Sequence, residues 1–180
     1  MRAFLAVEPS GEALGELQRA VGALHAPGLR PVRELHLTLR FFGDIPEAKA
    51  AEMKSALRDV PGFGARLEGA GAFPDWRRPL VIWAGVGPKE SWDALHREVD
   101  LRLQDLGFRS EPFTPHITLA RVKEGFIPES DVTLNGMLLK AAFPVRELLL
   151  KRSVLGPDGQ VHTLLWTAPL TTEGHPARSR

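Results

Sequence analysis

The 180 residues are 43% apolar and 25% charged, an ordinary globular composition that excludes a disordered tail or a collagen-like fibre and provides a core without metal or disulfide staples. There is no cysteine, which removes disulfides, thiolate metal sites and thiol catalysis, and leaves oxygen or nitrogen as any nucleophile. Lys plus Arg total 23 against 22 for Asp plus Glu; the net charge of +1 argues against coating long nucleic acid by bulk electrostatics and leaves a small anionic ligand open.

Taken in chain order, residues 2–7 alternate weakly and read as a strand. The apolar run before Glu8 is too short for a signal segment or a membrane span, so a cytoplasmic protein is expected. Pro9 and Ser10 open a helix over 11–24, with Leu14, Leu17, Val21 and Leu24 on one stripe. A strand follows at 35–42 and a helix at 47–60, stopped by Pro61-Gly62. Strand patterns at 65–72 and 80–86 flank a Pro- and Arg-rich stretch. The longest helical pattern runs from Pro88 to about Leu106, with Trp92, Leu95, Val99 and Leu103 in phase and Gly107 as its C-cap. A strand at 113–122 comes next, then an ambiguous segment at 128–139. Two strands at 145–155 and 160–166 are joined by the hairpin loop Gly156-Pro157-Asp158-Gly159. Residues 172–180 lack apolar periodicity and are expected to fray, and no linker divides the chain, so residues 1–180 form a single domain.

A helix followed by a strand occurs twice, and each of those strands carries His, an apolar residue, Thr and Leu. The copies are His36-Leu37-Thr38-Leu39 and His116-Ile117-Thr118-Leu119, with the histidines 80 positions apart. About 0.02 copies of so restricted a pattern arise by chance at this composition, so two mark an internal duplication. Side chains alternate along a strand, so each copy sets an imidazole and a hydroxyl on one face, about 7 Å apart, over an apolar back. Displacement at a phosphodiester needs a base on the attacking oxygen and an acid on the leaving oxygen, on opposite sides of phosphorus. Two such strands facing across a groove supply both, and the threonines can donate to the non-bridging oxygens. No His-Glu-x-x-His and no carboxylate cluster appears, so no metal-ligand motif is read from the spacing.

These residues resemble the two-histidine phosphoesterases, and among them the RNA 2',3'-cyclic phosphodiesterases also called 2'-5' RNA ligases. The resemblance rests on Arg2-Ala3-Phe4-Leu5-Ala6-Val7, on His36-Leu37-Thr38-Leu39-Arg40-Phe41-Phe42-Gly43, on Leu67-Glu68-Gly69-Ala70-Gly71-Ala72-Phe73-Pro74, and on His116-Ile117-Thr118-Leu119-Ala120-Arg121. It implies a bilobal α+β fold, with two antiparallel sheets and flanking helices related by a pseudo-twofold and a cleft between intertwined lobes. It also implies hydrolysis of an RNA terminal 2',3'-cyclic phosphate to a 2'-phosphomonoester, with no metal; no cofactor and no membrane partner are expected, and the chain is expected to be a monomer. By motif position His36 looks like the proton donor and His116 like the proton acceptor, with Thr38, Thr118 and Arg121 on the phosphate or substrate. The two motifs are nearly symmetric, so the residues alone do not order those roles.

Strict alternation from His116 turns Arg121 to the wrong face, so a bulge or strand end near Ala120 is expected. Arg40 is in phase with His36 and Thr38 and stands as a rival phosphate ligand. Phe41 is expected to pack inward, Trp83 and Trp92 to lie in the core, and His162 to have no partner. Three other readings stay open: ligation of the cyclic phosphate to a 5'-hydroxyl, a non-catalytic RNA-end binder, and action on small cyclic nucleotides.

Overall fold

The computed structural model describes residues 1–123, 139–156 and 159–172. Among these residues twelve elements follow one another: β1 (Arg2–Val7), α1 (Gly11–Ala23), β2 (Leu29–Pro31), β3 (Leu37–Asp44), α2 (Glu47–Ala56), β4 (Phe63–Phe73), β5 (Val81–Gly87), α3 (Lys89–Gln104), β6 (His116–Val122), β7 (Ala142–Val145), β8 (Glu147–Gly156) and β9 (Gly159–Pro169).

The helices form where apolar residues recur on one face. In α3, Trp92, Leu95, Val99 and Leu103 are all buried as the spacing predicts, and Gly107 takes the positive φ of 85° past its end. In α1 the buried stripe is Ala13, Leu17 and Ala20, with Leu24 just beyond the helix, so the predicted Leu14 and Val21 flank the stripe and do not form it. The helix predicted over 47–60 ends at Ala56. β2 carries no apolar alternation and was not legible; it is ordered by pairing with β6. The ambiguous segment at 128–139 lies, except for Leu139, outside the described residues, as do the two central hairpin residues and all but Thr172 of the fraying tail.

All the described strands join one antiparallel sheet in the order β7-β4-β5-β6-β3-β1-β8-β9, with β2 attached to β6. The two expected sheets are the halves of this one. They meet between β6 and β3 through the single pair Leu37–Ile117, and the order is symmetric about that seam, β6 with β3, β5 with β1, β4 with β8. What looked like one strand at 145–155 is interrupted at Arg146. There the chain leaves β7 at one end of the sheet and enters β8 near the other, so the sheet must curl until its ends approach. The Leu170 amide to the Arg146 carbonyl, at 2.7 Å, and the Gly62 amide to the Thr171 carbonyl, at 2.8 Å, tie those ends.

One continuous core fills the side of the sheet that carries the helices. Leu5, Leu37, Ile82 and Ile117 meet Leu17 of α1, Met53 of α2 and Trp92 of α3, all at 0–1% exposure. With that face sealed by apolar contact, the alternate residues of the same strands are left for the opposite face.

Candidate active site

Both motif strands are bent in the same way. Opposite β1, residue Ala6 pairs Thr38 and Leu5 pairs Arg40, so Leu39 is an extra residue in β3. Opposite β5, Trp83 pairs Thr118 and Ile82 pairs Ala120, so Leu119 is the extra residue in β6. The bulge at the fourth motif position sends two successive side chains inward: Leu39 and Arg40 in one half, Leu119 and Ala120 in the other. Beyond it the phase is inverted, and Phe41 and Arg121 turn to the histidine side as pseudo-symmetric counterparts. The bulge falls one residue before Ala120, and the Arg121 charge is felt by both imidazoles. At the seam, antiparallel register sets each imidazole across from the other motif's threonine.

His116 is seated in an aromatic wall, edge-on to Phe73 with ring centroids 4.9 Å apart and 6.3 Å from Trp83. Gly71 makes room for that indole, since a Cβ there falls 2.3 Å from a Trp83 ring carbon. The glycine is therefore a packing requirement. His116 Nδ1 lies 2.7 Å from the Thr114 carbonyl, an acceptor only, so this nitrogen carries hydrogen and Nε2 presents the lone pair. Burial pushes the imidazole below its ordinary range, the Thr114 carbonyl opposes that, and Arg121 adds to it.

His36 has a different setting. Its ring lies 5.1 Å from Phe4 and 5.3 Å, edge to face, from the ring of His162 on β9. Its Nδ1 is buried and has no hydrogen-bond partner among the described residues. Burial above all, then His162 and Lys151, lowers it to about 4, against the opposing pull of Glu34. Glu34 Oε2 is 3.2 Å from His162 Nδ1 and 3.2 Å from Lys151 Nζ, and Glu8 also pairs with Lys151. Burial pushes the Glu34 carboxyl up, but Lys151 and His162 outweigh it and hold it below the usual range. Burial likewise works against the Lys151 charge, and the two carboxylates prevail and raise it.

Several expectations need correction. Arg40 is no phosphate ligand. The bulge turns it inward, where it pairs with Asp100 of α3 and donates to the Arg109 carbonyl. For the same reason Phe41 is 64% exposed beside Phe4, and it is Phe42 that packs inward, 4.9 Å from Phe108. Trp92 is core, whereas Trp83 is half-buried in the wall beside His116. Lys151 is 7% exposed and doubly paired. His162, expected to lack partners, contacts Glu34, Phe4 and His36. Its position on a strand 126 residues from His36 leaves no local spacing to detect.

The pseudo-twofold sheet and its duplicated His-x-Thr strands define a two-histidine phosphoesterase. Residues 7–151 match the family model described as the 2'-5' RNA ligase superfamily. A protein of Methanothermobacter thermautotrophicus named RNA 2',3'-cyclic phosphodiesterase is 33% identical over 91% of this chain and 95% of its own length. Among solved structures, TT0787 of Thermus thermophilus superposes with a TM-score of 0.80 at 32% identity, covering 97% of this chain and all of that one. The E. coli protein LigT, crystallised with 3'-AMP, superposes with a TM-score of 0.69 at 26% identity, covering 94% of this chain and 97% of its own. The chain belongs to the 2'-5' RNA ligase superfamily.

Proposed function

We propose that the protein hydrolyses RNA terminal 2',3'-cyclic phosphates to 2'-phosphomonoesters, with His36 and His116 as its acid and base. The observation that carries this reading is the pair of His-x-Thr blocks on strands joined at one seam, in a chain whose relatives bear the name of that activity. His116, its Nδ1–H anchored on Thr114, presents Nε2 as the acceptor that takes a proton from water. His36 gives a proton to the departing 3'-oxygen. Thr38, Thr118 and Arg121 donate to the non-bridging oxygens as charge develops on them. A cytoplasmic setting is part of the same reading, in keeping with the cysteine-free composition. The test is product analysis of an oligonucleotide ending in 2',3'-cyclic phosphate, supplied with a 5'-hydroxyl strand. A 2'-phosphate product is expected; a joined product or a 3'-phosphate overturns the assignment.

The pH dependence follows from the two imidazoles. In the free protein both lie below the ordinary value near 6.5, and His36 lies at about 4, so at neutral pH both enter the reaction unprotonated. A working pair needs one of them charged. The profile of kcat/KM, which reports the free enzyme, should therefore peak below pH 6.5 and fall towards neutrality. A bound phosphate anion favours the imidazolium and raises both values, so the kcat profile is displaced to higher pH. Rate profiles from pH 4 to 9 check this; a kcat/KM maximum above 6.5, or coincident profiles, contradicts it.

A further inference from the structure

The duplication breaks down in one respect. Each motif repeats its histidine, threonine and bulge, but only His116 has its Nδ1 anchored on a carbonyl. At the corresponding place His36 Nδ1 is buried with no partner among the described residues, and nearby stand the Glu34 carboxylate and a third imidazole from a distant strand. Glu34, His36 and His162 each offer one ligand atom, and these atoms lie within 4.8 Å of one another. We propose that Glu34, His36 and His162 form a site for a divalent transition-metal ion of the zinc class, and that filling it inhibits the enzyme by removing His36 from proton transfer.

Two imidazoles and one carboxylate are ligands that suit a borderline-soft dication, with bonds of about 2.0–2.2 Å, so a small closure of the three side chains around the ion completes the set. The two histidines are partly buried, and the Glu34 side chain is 39% exposed. Glu34 and His36 are two residues apart at the entrance to β3, and His162 is held on β9 by its pairing with Ser153 of β8. Around them Glu8 and Glu34 set two negative charges against the one positive charge of Lys151, whose ammonium also orients the Glu34 carboxylate as an outer partner. Lys151 and the more distant Arg121 weaken the attraction. The site therefore fits a reversible regulator, distinct from a resident structural metal.

The inhibitory part rests on the reading of His36 as a proton-transfer residue, because an imidazole with one nitrogen bonded to metal cannot take up the second proton that makes it an imidazolium donor. The probes are zinc(II) for activity and cobalt(II) for spectroscopy, added to the full chain in metal-free buffer. Micromolar zinc is expected to lower turnover of a cyclic-phosphate-ended oligonucleotide at least ten-fold, with recovery on adding chelator. Cobalt should give the visible absorption of a low-coordinate nitrogen–oxygen site. Glu34→Gln and His162→Gln, each checked for native circular dichroism, should raise the inhibitory zinc concentration by about 10- to 100-fold and abolish the cobalt band. Glu34→Gln is near-isosteric, so it reads the site even where loss of the imidazole disturbs packing. No cobalt band in the wild type, or equal zinc inhibition in both variants, overturns the metal site and leaves the hydrolytic reading intact. A band that is lost in the variants but brings no loss of turnover overturns the inhibition and the acid–base role of His36 together.

Discussion

Replacing either motif histidine by alanine should lower kcat on a 2',3'-cyclic phosphate end by about 10² to 10⁴, with KM changed much less. On the proposed reading the reaction moves one proton from the attacking water and one to the departing oxygen, and each imidazole handles one of them. Losing either raises the barrier by about 3–5 kcal/mol. The two groups act as a unit, so the double variant should fall short of the product of the single effects. Arg121→Met is the contrasting case. Its charge reaches both imidazoles without taking or giving a proton, and a charge-assisted hydrogen bond contributes about 1.5–3 kcal/mol, so its loss should appear mainly as a ten-fold or greater rise in KM. Steady-state kinetics with circular dichroism on each variant checks the set. Folded His36→Ala and His116→Ala enzymes with near-wild-type kcat would remove the acid–base assignment altogether.

The parts of this site that were legible in the sequence are those set by local period. His36 with Thr38, and His116 with Thr118, share a face because alternation holds over three residues, and the apolar back of each strand shows as Leu37 and Ile117. Alternation fails one step later. The bulges at Leu39 and Leu119 are properties of pairing with β1 and β5, and no residue type within the motif announces them. Reading straight through therefore misplaced Arg40 and Phe41, whereas for Arg121 the same difficulty forced the expectation of a bulge. The third imidazole was illegible for another reason. His162 reaches His36 only because the sheet curls and carries β8 and β9 alongside β1, a long-range consequence of the chain crossing at Arg146. The duplicated halves were open to reading because they rest on a repeated pattern, and the α+β class followed from the family resemblance. The joining of the halves into one sheet rests on the single pair Leu37–Ile117, which no pattern marks.

Asp100→Ala should be among the most destabilising single changes, at about 3–5 kcal/mol, because it strands a buried cation. The Arg40 and Asp100 side chains are 2% and 9% exposed, and the guanidinium has been carried there by the Leu39 bulge. It is held by Asp100 Oδ1 and the Arg109 carbonyl, with the Phe42 and Phe108 rings 5.6 and 5.8 Å from its central carbon. Ser110 Oγ donates to the other Asp100 oxygen at 2.5 Å, and His96 Nδ1 lies 3.9 Å from it, so one carboxylate ties α3, the following loop and β3 together. Without it, water cannot easily reach Arg40, and the melting temperature should fall by about 6–20 °C. Removing the pair as a unit is a different perturbation. Arg40→Met with Asp100→Leu deletes both charges and keeps most of the volume, so its stability should lie far nearer the wild type than that of Asp100→Ala. Urea unfolding of the single and double variants measures the difference. The same double variant decides what Arg40 does for the reaction, since its KM for the cyclic phosphate should be unchanged. A ten-fold increase in KM in a folded double variant would mean that the bulge leaves Arg40 in reach of the substrate, and that the inward turn assigned to it is wrong.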